Sequence, residues 1–236
     1  MKKLILFIAV ISICFSCKTE AVEGNKNLIT VEREVSEDFN KITASTGLNV
    51  SLIQSEEYKI SVSADENLQE LIKTQVSNGR LKIYITNPIK NHSNISVDVY
   101  APDIVEINTN SGARLQTKEV LKTDSLSVKS SSGSWTELEV NTLYLNSNSS
   151  SGANIKFTGK TESYRCVTSS GSHTNSANLI SKKVNANSSS GSSAKVYCTD
   201  NLQANTSSGG NIQCSGAPIN SNIHESSGGS IRIKKQ

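Results

Sequence analysis

From about residue 31 onward, apolar and polar residues alternate, as in Leu48-Asn49-Val50-Ser51-Leu52, Leu81-Lys82-Ile83-Tyr84-Ile85 and Ile95-Ser96-Val97-Asp98-Val99. A period of two places every second side chain on one side of an extended chain, so these segments are read as strands with one buried face. One segment departs from it. In 64–72, Asp65 is placed to cap a short helix whose Leu68, Leu71 and Ile72 share a face. The pattern predicts an all-β protein.

A second, longer period lies over the first. Ser-Gly follows a short hydroxyl run at Gly112, Gly133, Gly152, Gly171, Gly191, Gly209 and Gly228, with steps of 21, 19, 19, 20, 18 and 19 residues. A repeat of this length is the mark of a stacked β-coil, in which each unit buries its apolar face only against its neighbours. Aligning the units on these glycines exposes inward columns. Seven residues before each glycine stand Val105, Leu126, Leu145, Tyr164, Val184, Leu202 and Ser221, and five before stand Ile107, Val128, Ser147, Cys166, Ala186, Ala204 and Ile223. Three and five residues after come pairs such as Leu115/Thr117, Ile155/Phe157, Ala194/Val196 and Ile231/Ile233. Each unit is therefore strand, Ser-Gly corner, strand and return, in a single-stranded parallel β-helix with coils of about 19 residues. If Val128, Leu145, Ile155, Phe157 and Val196 were solvent-exposed, this architecture would fail. The coil at Gly171, where Thr174 and Ser176 replace aliphatic residues, is expected to pack more loosely. Gly47 and Gly79 precede the repeat at wider spacing, so residues 31–100 are either wide, decorated coils or a β-rich cap, and 101–236 the regular coils.

The corner hydroxyls need partners if they are buried. The residues three before each glycine (Thr109, Ser130, Ser149, Thr168, Ser188, Thr206, then Glu225) and the serine one before it are read as files that pass hydrogen bonds from coil to coil. The file between them, Ser131, Ser150, Ser169, Ser189, Ser207 and Ser226, is expected to face outward as a hydroxyl strip. That strip is either the outside of a structural corner or a surface that also binds a sugar chain or ordered water.

The N-terminus changes the picture of where such a coil sits. Met1-Lys2-Lys3, an apolar run from Leu4 to Phe15 too short to span a bilayer, and Ser16-Cys17 have the order of a lipoprotein signal, with cleavage before Cys17 and lipid on that residue. Residues 1–16 are then the signal peptide, and 17–30, polar and aperiodic, the lipidated cysteine and a tether. Loss of Lys2 and Lys3 lowers a formal net charge of only +3 by two, which disfavours a nucleic-acid partner. At the far end, Lys234-Lys235 puts charge beside the last strand edge, which discourages pairing there.

Candidate chemistry is thin. Cys166 and Cys214 fall in inward columns and read as small core residues, while a Cys198–Cys214 disulfide would join positions two residues out of step. His92, His173 and His224 are isolated, so no metal or other cofactor is expected. Trp135 and Tyr164 are candidates for a sugar-stacking patch or for core plugs. The acidic residues of the repeat do not recur on neighbouring coils, so no catalytic residues are assigned.

Phe39-Asn40-Lys41-Ile42, Gly47-Leu48-Asn49-Val50, Ala64-Asp65-Glu66-Asn67-Leu68, Gly79-Arg80-Leu81-Lys82-Ile83, the Ala101-Pro102 step and the serial Ser-Gly repeats carry a resemblance. The chain resembles the putative autotransporter adhesin, head GIN domain family, common in Bacteroidetes lipoproteins, over essentially residues 31–236. The resemblance implies a right-handed parallel β-helix in an exported domain with an adhesin-like role, and brings no catalytic residues. The function so read is a non-enzymatic, lipid-anchored protein of the cell envelope, in the outer membrane and facing the periplasm or the surface, that binds a glycan or a surface protein. The alternatives are an envelope structural or signalling component without external ligand and a β-helical carbohydrate-active enzyme.

Overall fold

The computed structural model describes residues 20–234, and Cys17 with the signal segment lies outside them. The chain is a β-solenoid of about seven turns. Each turn has two faces. The approach face carries the strands that lead into the corners, and the exit face carries those that leave them.

On the exit face Arg114–Thr117 pairs in parallel with Trp135–Ser149, then come Asn154–Thr168, His173–Ser188, Ser193–Tyr197, Asn211–Ser215 and Ser230–Lys234. On the approach face Glu106–Thr109 pairs with Leu121–Ser130, and the stack continues through the second halves of the three long strands to Asn201–Thr206 and Asn220–Glu225. Register carries each column onto itself: Leu126↔Leu145, Leu145↔Tyr164, Tyr164↔Val184 and Val184↔Leu202. Val128, Leu145, Ile155, Phe157 and Val196 are all buried, and one core runs the length of the coil. The columns emerge at both ends: in the first regular coil Val105 and Thr117 are half-buried, with Ile104 rather than Val105 in the core, and in the last coil Ser221 and Ile223 are exposed and Ile231 and Ile233 half-buried.

The coil at Gly171 is not loose. Tyr164 is wholly buried, its phenol oxygen lies 2.9 Å from both Ser147 Oγ and Ser176 Oγ, and Thr168 Oγ1 donates to Thr174 Oγ1 at 3.3 Å. Polar core positions across this coil, and one in the coil before it, satisfy one another there, which the aliphatic count did not anticipate. A second buried hydroxyl pair, Thr142 to Thr161 at 3.0 Å, lies on the return side of the coil.

The N-terminal part is both coil and cap. Lys41–Ala44 and Asn49–Gln54 form a true coil, stacked on Glu106–Thr109 and Arg114–Thr117, with Gly47 N–H donating to the Ser111 carbonyl at 3.0 Å. Arg80–Ile85 and Ser96–Ala101 lie on the other side of that coil. Thus the chain lays down a coil, adds an outer layer, and then crosses back over the coil at 102–105 to start the regular repeat. Gly79 is not a solenoid corner. With Asn78 it turns the antiparallel hairpin of Ile72–Ser77 and Arg80–Ile85, both residues at positive φ as a tight hairpin turn requires. Antiparallel Leu28–Arg33 and Lys59–Asp65 complete the cap. Glu66–Leu71 is a 3-10 helix, and Leu68 plugs the end of the core.

Two sequence expectations are corrected in the cap. Asp65 makes no side-chain cap to its helix. Its buried carboxylate instead accepts the backbone N–H of Lys26 at 3.2 Å and of Ser93 at 3.2 Å. Burial pushes this carboxyl up, but those hydrogen bonds outweigh it and hold Asp65 below the usual carboxylate range. The described part of the tether is folded: Val22–Glu23 pairs with Ile89–Lys90, and a side chain on Gly24 would meet Asp65 Oδ2 at 2.1 Å. Composition hid this because these residues are held chiefly by backbone pairing, one buried carboxylate and the amides of Asn67 and Asn91, with Val22 the one apolar side chain of the segment packed against the core.

Candidate functional site

The Ser-Gly corner is the repeated element. In each, the residue two before the glycine, the serine before it, the glycine and the residue after it form a four-residue turn closed by a backbone hydrogen bond, such as Ser134 N–H to the Ser131 carbonyl at 3.2 Å and Ala153 N–H to the Ser150 carbonyl at 3.1 Å. Both central residues have positive φ: 47° to 53° for Ser111, Ser132, Ser151, Ser170, Ser190, Ser208 and Ser227, and 68° to 75° for the glycines. That pair of values defines a type I′ turn, and glycine meets its second requirement without a Cβ penalty. Corner stacks on corner through the backbone, each glycine N–H from Gly112 to Gly209 donating to the serine carbonyl of the next coil, as in Gly152 to Ser170 at 3.1 Å.

This geometry divides the serine files differently from the sequence reading. The file three before the glycine is buried from Thr109 to Thr206, as expected. The file one before it is exposed, because a left-handed residue at the tip of a turn points its side chain away from the coil. The inward partners are instead the residues one after the glycine. Ser134 Oγ donates to the Thr109 carbonyl at 3.0 Å, Ser172 Oγ to the Ser149 carbonyl at 2.8 Å and Ser192 Oγ to the Thr168 carbonyl at 2.8 Å, each one coil back. Thr109, Ser130, Ser134 and Thr136 form a closed cluster of buried hydroxyls with separations from 2.7 to 3.2 Å. The signal for this file was present: its members are Ala113, Ser134, Ala153, Ser172, Ser192, Gly210 and Gly229, all small.

Ser131, Ser150, Ser169, Ser189 and Ser207 are half-buried along the shoulder of the corner, and Ser226 is exposed with its Oγ donating to the Thr206 carbonyl at 3.2 Å. Beyond this strip the approach face carries an outward amide array. Asn187 donates to Asn185 at 2.9 Å, Asn185 to Gln203 at 3.1 Å, Asn205 to Asn187 at 3.0 Å and Asn220 to Asn201 at 3.0 Å. The exit face carries Trp135, 41% exposed, with the Arg114 guanidinium 5.4 Å from the indole centroid. Tyr164, paired with Trp135 in the sequence reading, is core.

The charged groups pair locally. Lys156 Nζ lies 2.6 Å from Glu137 Oε1, and Arg80 lies 3.1 Å from Glu106. Burial opposes the charge on Glu106, but hydrogen bonds from Asn108 and Arg80 hold its carboxyl below the usual range. Cys166, Cys198 and Cys214 are buried free thiols, and burial pushes Cys214 up to about 12. Among the described residues no three His, Cys, Asp or Glu side chains gather as a metal site. No described helix is long and apolar enough to cross a membrane.

A family model described as "putative auto-transporter adhesin, head GIN domain" matches residues 38–218. The chain belongs to this head GIN domain family. Solved structures share the fold of the head GIN chain. A putative adhesin from Bacteroides fragilis superposes with a TM-score of 0.84 at 20% identity, covering 91% of this chain and 100% of that one. A putative lipid binding protein from Parabacteroides distasonis gives 0.74 at 20% identity over 91% and 100%. A putative adhesin from Parabacteroides merdae gives 0.72 at 21% identity over 91% and 99%. No protein of curated function matches. The last coil, from Ile219 to Lys234, lies beyond the head GIN match.

Proposed function

We infer that this head GIN chain is a non-enzymatic adhesin of the cell envelope, held to the membrane by lipid on Cys17, which binds glycans or surface proteins along its coil. The observation that carries this reading is the rigid, repetitive outer surface: a hydroxyl shoulder, an amide array and an aromatic-bearing exit face, each continued from coil to coil by the parallel register. Side chains repeating at about 4.8 Å on a stiff scaffold meet a repeating ligand with little ordering cost. The pockets on these faces are open grooves, which suits an extended ligand. With Val22 already paired to Ile89, only the few residues after Cys17 would separate lipid from fold, so the coil would stand close to the membrane.

The test is a binding screen of the intact chain against glycan and matrix-protein arrays, beside a variant with Ser150, Ser169 and Ser189 changed to Glu. Saturable binding weakened in a folded variant supports an adhesin with its site at or beside the shoulder. A folded wild-type chain that binds nothing refutes the reading. Metabolic labelling with palmitate, with Cys17→Ser as control, tests the anchor.

A further inference from the structure

We propose that the exit face holds a subsite for a carboxylated oligosaccharide, with a sugar ring stacked on Trp135 and its acidic groups received by Lys195. This deepens the binding-module reading above and rests on it.

Four rungs build the subsite. Register places Trp135, Asn154, His173 and Ser193 above one another, and Glu137, Lys156, Asn175 and Lys195 in the parallel file two residues on. All of these but Glu137 line one continuous groove of about 500 Å³ that begins at the indole and ends at Ser193 and Lys195. From the first rung to the fourth is about 14 Å at the spacing of paired strands, a length that fits a short oligosaccharide and exceeds a single sugar.

Trp135 departs from its column. The equivalent outward positions hold Arg114, Asn154, His173, Ser193 and Asn211, so a solvated strand needs no indole there. Arg114 sits over the ring at 5.4 Å on the side of the preceding rung. This contact holds one face of the indole against the guanidinium, while the groove opens on the side of the following rungs. A fixed indole with an open, electron-rich face suits the polarised C–H groups of a pyranose ring. The amides of Asn154 and Asn175 and the imidazole of His173 line the same floor, where they can meet sugar hydroxyls.

Charge selects the acidic class. Glu137 is the one carboxylate among the named rungs and is neutralised by Lys156 at 2.6 Å. Lys195 has no ion-pair partner among the described residues. The groove therefore ends on an uncompensated cation, which favours a carboxylate over a neutral sugar. The neighbouring groove on the Arg114 side holds Asp98 beside its cations and lacks this bias.

Trp135 is the single tryptophan of the chain, so its fluorescence reports this subsite directly. The intact protein is titrated with trigalacturonate and a sialylated trisaccharide, and with their neutral counterparts, while emission is followed and affinity is measured by calorimetry. The expected result is a saturable change in emission with at least one acidic probe, at least tenfold tighter than its neutral counterpart. Lys195→Glu weakens it at least tenfold with far-UV dichroism unchanged, and Trp135→Ala abolishes it in calorimetry. Equal affinity for acidic and neutral probes overturns the charge assignment. Binding that survives both substitutions overturns the subsite and leaves the adhesin reading standing. Array binding by a folded chain that takes up none of these probes does the same, and silence on every array defeats both.

Discussion

Changing Tyr164 to Phe tests how a core so rich in hydroxyls is stable. The side chain is wholly buried, stacks edge-on against Phe157 at 5.9 Å, and places its oxygen 2.9 Å from Ser147 Oγ in the coil before and from Ser176 Oγ across the core of its own coil. Removing that oxygen deletes two buried hydrogen bonds, each worth about 1 kcal/mol net, and strands two hydroxyls whose desolvation is then only partly repaid. The expected loss is about 2–4 kcal/mol. Tyr144→Phe, at 63% exposure, is the control and should stay within about 0.5 kcal/mol of wild type. Adding Ser147→Ala and Ser176→Ala to Tyr164→Phe removes the stranded groups and should restore at least about 1 kcal/mol, because losing all partners together costs less than losing one. Urea unfolding followed by both far-UV dichroism and Trp135 emission measures these differences, and coincident transitions license the two-state treatment that repeat proteins do not always obey. A Tyr164→Phe variant within about 0.5 kcal/mol of wild type, or a triple variant less stable than the single one, would refute the argument.

Glycines differ in what they tolerate. Gly159→Ala drives a Cβ to 2.1 Å from the Val140 carbonyl oxygen and should cost at least about 3 kcal/mol in the same unfolding assay, whereas Gly152→Ala, with open space but φ of +71°, should cost about 1–2 kcal/mol. Alkaline pH should destabilise the coil. The Cys214 thiol ionises near 9 when unfolded but only at about 12 when folded, so the unfolded state holds fewer protons between those values and stability falls as pH rises through them. Cys214→Ala should flatten that fall in a melting series from pH 8 to 11. Asp65→Ala should free residues 22–27 from the cap, read as new early cleavage in limited proteolysis while the Trp135 signal persists. In wild type the same release should set in as acid protonates Asp65, because its lowered value means the contribution is present at neutral pH and lost below about 4.

What was legible in the sequence follows from what repeats. The period of two fixed which side chains are inward, and the glycine spacing fixed the coil, because stacking imposes the same constraint on every unit. The serine before each glycine was misread because a hydroxyl at a corner fits two roles equally well on paper, and only the positive φ of the turn sends Ser132 or Ser151 outward. Strand order in the N-terminal part was not legible. Alternation marks Ile42, Leu81 and Ile107 as inward without saying that Ile42 lies between the other two. Gly47 and Gly79 look alike, yet one turns a coil and the other a hairpin, and Asn78 before Gly79 was the local signal that separates them. Trp135 stood out as a residue type, but its exposure and its place at the head of a groove ending on Lys195 depend on four coils in register.

That register also separates the core from the outer surface. Along the exit face Thr136, Ile155, Thr174, Ala194 and Ile212 point inward, and their neighbours Trp135, Asn154, His173, Ser193 and Asn211 point outward from the same strands. A change in an inward file propagates beyond its own coil, since Tyr164 bonds Ser147 of the coil before it as well as Ser176 across its own. A change in an outward file meets chiefly its rung neighbours, so it can be made at little cost to the fold. The core hydroxyls complete one another except at Thr206, whose buried Oγ1 has no partner, and the corners close through backbone groups, so the outer files carry neither task. Solved structures only 18–21% identical share this fold, which such a division allows, since the coil constrains the inward files and leaves the outward ones open to change.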